Sequence, residues 1–148
     1  MKNLTRRVLT LSFFVAISAS AVLAQGRARV TADIPFDFSV SNKSMPAGKY
    51  IVQKHQTMTH LLQVQGWDSN KSAYVTTNDA IKTKRSEKTV LVFRRYGSDY
   101  FLAQMWTAGE SAGIELPVSK AERQARKHAE KNIALNLAEP EVITIVVD

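Results

Sequence analysis

The chain has 148 residues, of which 45% are hydrophobic and 22% charged, and its formal net charge is +7. That hydrophobic share supports one ordinary core and excludes a disordered, tail-like chain. Cysteine is absent, which excludes disulfides, a thiolate nucleophile and a lipid-bearing thiol.

The first element in chain order is a three-part pattern. Lys2, Arg6 and Arg7 open it, 8–23 is apolar with only small polar interruptions, and Val22-Leu23-Ala24 carries slender residues. This predicts a secretory signal peptide over 1–24, cleaved after Ala24, and a mature domain over 25–148 outside the cytoplasm, periplasmic or secreted. The apolar run is short for a span of ~20 residues, and no second such run follows, so no transmembrane span is expected in the mature chain. Cleavage removes three cations and no acid, leaving 17 cations against 13 acids. A surplus of that size suits an anionic partner weakly at most.

Val30, Ala32, Ile34, Phe36, Phe38 and Val40 alternate with mostly polar residues. Period two predicts a half-buried strand, with an edge position or a break at Pro35. Residues 42–48 read as a turn, 49–56 and 60–65 as a hairpin, and 72–77 as a strand. Residues 78–87 read as a polar, basic loop. Residues 88–95 and 99–106 flank Tyr96-Gly97-Ser98 and are rich in β-branched and aromatic side chains, which predicts a hairpin. Its two faces both carry apolar groups, as a central hairpin requires. Residues 107–117 read as a glycine-containing loop.

The pattern then changes. Ser119-Lys120-Ala121-Glu122 is a capping box. Ala121, Ala125, Ala129, Ile133 and Leu137 recur every four residues among good helix formers, and Pro140 ends the run. Residues 141–147 form a last strand, apolar on both faces and so expected to be covered on both. The absence of βαβ alternation argues against a Rossmann-type sheet. The expectation is a mainly β protein, an antiparallel sandwich or small barrel of about seven or eight strands with one C-terminal helix before the last strand.

Ile34-Pro35-Phe36-Asp37-Phe38, Pro46-Ala47-Gly48-Lys49-Tyr50-Ile51-Val52, Leu91-Val92-Phe93-Arg94-Arg95-Tyr96-Gly97, Tyr100-Phe101-Leu102 with Trp106, and Glu115-Leu116-Pro117 form a second kind of signal. Together they resemble a group of small, exported, β-rich bacterial proteins. The resemblance spans nearly all of the mature chain. It implies the fold class and export, and it carries no activity with it.

Several constellations invite a chemical reading. Gly109-Glu110-Ser111-Ala112-Gly113 spells the nucleophile elbow of α/β-hydrolases. That motif needs a strand-turn-helix in a parallel sheet, and Ile114-Glu115-Leu116-Pro117 follows here instead. A small serine hydrolase with His128 and Glu115 or Glu122 is therefore only the rival reading. His55 and His60 flank a turn without an evident third ligand, so no metal or other cofactor is expected. Asp33 and Asp37, about 13 Å apart on one strand face, are too distant for a retaining glycosidase pair.

Lys82, Lys84, Arg85 and Lys88 form the most basic window, and Arg123, Arg126 and Lys127 add a basic helix. These are candidate contacts for an anionic surface, lipid or polysaccharide. Trp67, Tyr96 and Trp106 are candidate aromatic ligand contacts. The sequence thus supports an exported, non-enzymatic domain with a structural or binding role at the cell envelope. Its expected partner is an anionic envelope component or another exported protein, and not nucleic acid.

Overall fold

The computed structural model describes residues 29–132 and 140–147. The signal-peptide reading of 1–24 and the helical positions Ile133 and Leu137 lie outside the described residues.

Two open sheets pack face to face, so the protein is a sandwich and not a closed barrel. The smaller sheet holds β1 (Arg29–Ile34), β4 (Gly48–Lys54), β5 (Leu61–Gly66) and β6 (Ser72–Thr76), in the order β1-β4-β5-β6. All its pairings are antiparallel. The larger sheet runs β11-β8-β9-β10-β7. Here β7 is Asn78–Ile81, β8 Val90–Tyr96, β9 Asp99–Trp106, β10 Ala112–Glu115 and β11 Glu141–Val146. A short hairpin of β2 (Phe38–Val40) and β3 (Lys43–Met45) joins it through one parallel bridge, Ser39 to Phe101.

Pro35 does what its missing N–H dictates. β1 ends at Ile34, and the chain crosses to the other sheet before β2 begins at Phe38. Val30, Ala32 and Ile34 then face Tyr50, Val52, Leu62 and Val64 of their own sheet and Leu91, Phe93, Leu102, Met105 and Ile114 of the opposite one. This single apolar layer is the core.

The described residues hold eleven strands where about seven or eight are expected from pattern. β3 comes from the segment read as a turn, β7 from the basic loop and β10 from the glycine loop. None has a strong period-two signal. β7 and β10 pair with each other, Ala112 opposite Ile81 through Glu115 opposite Asn78, and β10 also pairs with β9. Neighbouring backbone, not side-chain pattern, makes them strands.

The hairpin β8–β9 is central, flanked by β11 and β10. A bulge interrupts it: Val92 pairs with Gln104 and Phe93 with Leu102, leaving Ala103 as the extra residue. The bulge shifts the alternation of β9. Leu102 and Met105 therefore both reach the core, while Phe101 and Trp106 both face outward. Trp106 is nonetheless only 2% exposed. Its ring lies across Gly113, where an added Cβ would meet ring carbon Cε3 at 2.5 Å and the Met105 carbonyl at 2.8 Å. Gly113→Ala should destabilise the protein by roughly 1–3 kcal/mol through overpacking, read from the shift of the urea midpoint at unchanged slope.

β11 differs from expectation. It is an edge strand, and the outward side chains Val142 and Val146 are 61% and 55% exposed. Its other face, Ile143 and Ile145, packs on the core. An apolar sequence on both faces therefore does not mean cover on both faces here.

Two tyrosines couple the fold to alkaline pH. Burial, with the Asp37 charge as a lesser cause, raises the Tyr50 hydroxyl above its ordinary value of 10.0. Burial, then the Glu122 carboxylate, raises Tyr96 likewise. The folded state holds these protons more tightly than the unfolded state. Stability is intact below the ordinary tyrosine value and is lost as pH rises through the raised values. Urea midpoints at about pH 9 and pH 11 should diverge less in Tyr96→Phe than in the parent.

Candidate functional site

The helix α1 (Lys120–Asn132) lies over the outer face of the larger sheet. Its start is capped twice. The Glu122 N–H donates to Ser119 Oγ at 3.0 Å, and the Ala121 N–H donates to Asn42 Oδ1 of the β2–β3 turn at 3.1 Å. Ala125, with Ala121 and Ala129, then rests on Tyr96 and Phe101. Small side chains at this spacing let the helix approach the sheet closely.

The capping box is made by half. The Ser119 hydroxyl does its part, but the Glu122 carboxylate turns inward to Arg94, with Oε1 at 2.7 Å from Nε. The Glu122 side chain is 3% exposed and that of Arg94 17%. Arg94 also donates from Nη2 to the Leu116 carbonyl at 3.3 Å and faces Glu115 at 3.5 Å. Tyr96 donates its hydroxyl to Glu122 at 3.4 Å. The Arg94 Nε–H itself makes no directed hydrogen bond. The contact is an ion pair held by charge more than by a linear bond. No local signal announces this pair, because 28 positions separate its members in sequence and only the fold joins them.

The inward turn of Glu122 decides what the helix shows to solvent. With Ala121, Glu122, Ala125 and Ala129 facing the sheet, helical spacing places Lys120, Arg123, Lys127 and Lys131 on the opposite side. All four are exposed cations. The other acid of the helix, Glu130, is paired sideways with Arg126 at 2.8 Å. The outward strip therefore holds four cations, bordered by Glu130, whose charge is shared with Arg126. Lys120 and Lys131, part of the same basic segment in sequence, belong to the strip, whereas Arg126 is turned sideways to Glu130.

The second basic window lies elsewhere. The loop carrying Lys82, Lys84, Arg85 and Lys88 is tied to the β9–β10 connection. Lys82 N–H donates to the Ser111 carbonyl at 2.9 Å and Gly109 N–H to the Ser86 carbonyl at 2.8 Å. Lys84, Arg85 and Lys88 are exposed. Lys82 Nζ sits 3.9 Å from the centroid of the Trp106 ring, a cation–π contact. This cluster neighbours Trp106, whereas the helix covers Phe101, about 16 Å away along β9. The two basic windows occupy opposite ends of one sheet face.

The aromatic candidates separate as well. Tyr96 and Trp106 are 7% and 2% exposed and serve packing, while Trp67 is 52% exposed on the smaller sheet. The Ser111 loop is exposed and leads into β10, not into a helix. His128 is exposed on α1, at the Phe101 end, so Ser111 and His128 do not converge. His55 Nδ1 accepts from the Thr57 and Met58 N–H groups at 3.3 and 3.4 Å, a turn-closing role. His60 lies 3.9 Å from Asp79. Among the described residues no cluster of three or more His, Asp or Glu side chains is placed to hold a metal. Asp37 accepts from the Ala47 N–H at 2.8 Å, again a turn contact. Two open depressions, of about 190 and 240 Å³, lie beside Pro46–Tyr50 and beside Ser39 and Ser98. Both fall below the ~300–1,000 Å³ usual for small-molecule sites. No family model, curated protein or solved structure matches this chain.

Proposed function

We propose that this chain is an exported, non-catalytic β-sandwich domain that binds an anionic component of the cell envelope through the outward strip of α1. Export rests on the three-part pattern of 1–24. The observation that carries the binding reading is the sorting of charge on the helix. Its acids are spent inward on Arg94 and sideways on Arg126, and Lys120, Arg123, Lys127 and Lys131 are left facing outward. A row of uncompensated cations on a rigid element attracts phosphate- or carboxylate-bearing surfaces. The Lys82–Lys88 loop, at the other end of the same sheet face, extends the positive field.

The test is co-sedimentation with phosphatidylglycerol vesicles, with phosphatidylcholine vesicles as the neutral control. A parallel arm uses a soluble anionic polysaccharide, which separates a lipid source from a polymer source. Binding of the parent should weaken as ionic strength approaches about 1 M, where screening acts within ~3 Å. Replacing Lys120, Arg123, Lys127 and Lys131 together by Gln should weaken it roughly 100- to 1,000-fold, at about 1 kcal/mol per cation near a charged surface. Salt-insensitive binding, or a quadruple variant that binds as well as the parent, would refute the reading.

A further inference from the structure

We infer that the solvent face of the smaller sheet is a platform for a neutral, polyhydroxylated chain, that is, an uncharged polysaccharide. This reading is independent of the cationic strip, which belongs to the other sheet.

Cross-strand register builds the platform. Gln53 of β4 stands opposite Gln63 of β5, and Gln63 opposite Tyr74 of β6. One row further along, Ile51 stands opposite Gln65 and Gln65 opposite Ser72. The three glutamines are joined side chain to side chain. Gln53 Nε2 donates to Gln63 Oε1 at 3.0 Å, and Gln63 Nε2 donates to Gln65 Oε1 at 3.3 Å. Each amide retains further donor or acceptor capacity, because it has two N–H groups and an oxygen with two lone pairs. The row is therefore ordered and still able to bond outward.

Large aromatic surfaces flank it. Tyr74 is 56% exposed and Trp67 is 52% exposed. Both are steadied by neighbours. The His55 ring meets Tyr74 edge to face at 6.3 Å, and Lys49 Nζ lies 5.5 Å from the Trp67 ring centroid. Trp67 follows directly on β5, and strand spacing puts its Cα about 14 Å from that of Tyr74, four residues along and one strand across. A ring stiffened before binding loses little entropy on binding.

Charge selects the ligand class. Between Lys49 and His55, the outward side chains of β4, β5 and β6 carry no formal charge; the charged outward residues are Arg29 and Asp33 of the edge strand β1, opposite Gln53 and Lys49. A nucleic acid or acidic polymer would find only Arg29 and Lys49 at the margins, with Asp33 opposite Lys49, and would leave most of its phosphates or carboxylates unpaired across the glutamine row. A neutral glycan matches it: hydroxyls meet the amides, and the C–H faces of sugar rings meet Tyr74 and Trp67.

The experiment is affinity electrophoresis of the full chain through gels containing dextran, laminarin, xyloglucan or glucomannan. At least one should retard the protein, with a strength unaffected by ionic strength. Tyr74→Ala and Gln63→Ala should each weaken the retardation on the order of tenfold, the cost of one stacked ring or one set of directed hydrogen bonds. Replacing the four helix cations should leave it unchanged, so the two readings fail separately. Fluorescence supplies a second readout that needs no destabilising change. The chain has only two tryptophans, and Trp106 is buried, so a ligand-induced shift reports Trp67 and should vanish in Trp67→Phe. If none of the four polysaccharides retards the protein or shifts Trp67 emission, the inference fails. It also fails if retardation persists in Tyr74→Ala and Gln63→Ala combined.

Discussion

Replacing Phe93 by alanine should cost about 3–5 kcal/mol of folding stability, the range for a buried phenylalanine. The ring is 0% exposed, at the centre of the inner face of the larger sheet. It meets Phe36 and Phe38 edge to face, with centroids at 5.3 and 5.6 Å. Such contacts add to the burial itself, because the electropositive rim of one ring faces the electronegative face of another. The neighbours are held by two sheets and cannot collapse into the space left behind. A domain has only about 5–15 kcal/mol to lose, and this one has no disulfide to offset the change. Phe101→Ala should fall toward the lower end of the range. That ring packs on the outer face against Tyr96 and helix alanines, and the helix can settle toward the gap. Urea unfolding reads both values. A loss below about 1 kcal/mol for Phe93→Ala would place the core somewhere other than between the sheets.

The second large effect is expected at Arg94. Replacing it with Met should cost about 3–5 kcal/mol, because the Glu122 carboxylate would remain buried without its counter-charge. Glu122→Leu alone should cost less, because Arg94 keeps Glu115 at 3.5 Å and the Leu116 carbonyl as partners. The two changes together should recover most of the loss, since an apolar pair of similar volume avoids the desolvation cost of both ions. Recovery would be incomplete by about 1 kcal/mol because the Tyr96 hydroxyl loses its acceptor. A double-mutant cycle measured by urea unfolding checks this. Additive single losses would mean that the pair is solvated and does not fasten the helix to the sheet.

The ion pair also bears on function. With Glu122 turned inward and Glu130 paired with Arg126, α1 presents an excess of cations to solvent. A loosened helix would present the same charges in a shifting arrangement. Arg94→Met should therefore weaken vesicle binding as well as stability, although Arg94 itself does not reach the surface strip.

Much of this protein is determined by sequence alone. Alternation from Val30 to Val40, the break at Pro35, the β8–β9 hairpin around Gly97 and the capped helix after Ser119 all follow from local rules. Period two, a missing N–H, a tight turn and a hydroxyl cap need no distant partner. The tertiary structure decided the rest. β7 and β10 are strands because each offers the other a ladder, and nothing in Asn78-Asp79 or Ala112-Gly113 specifies one. The bulge at Ala103 sends Phe101 under the helix and Leu102 into the core, and a one-residue shift of this kind leaves no mark on the apolar pattern. β11 is apolar on both faces and yet lies at an edge, because hydrophobicity does not record strand order. The same holds for the sites. Basic residues are legible as basic, but whether Glu122 neutralises its own helix or turns to Arg94 depends on a residue 28 positions away. Gln53, Gln63 and Tyr74 become neighbours only through register. Local chemistry chooses the elements, and long-range pairing chooses which side chains meet.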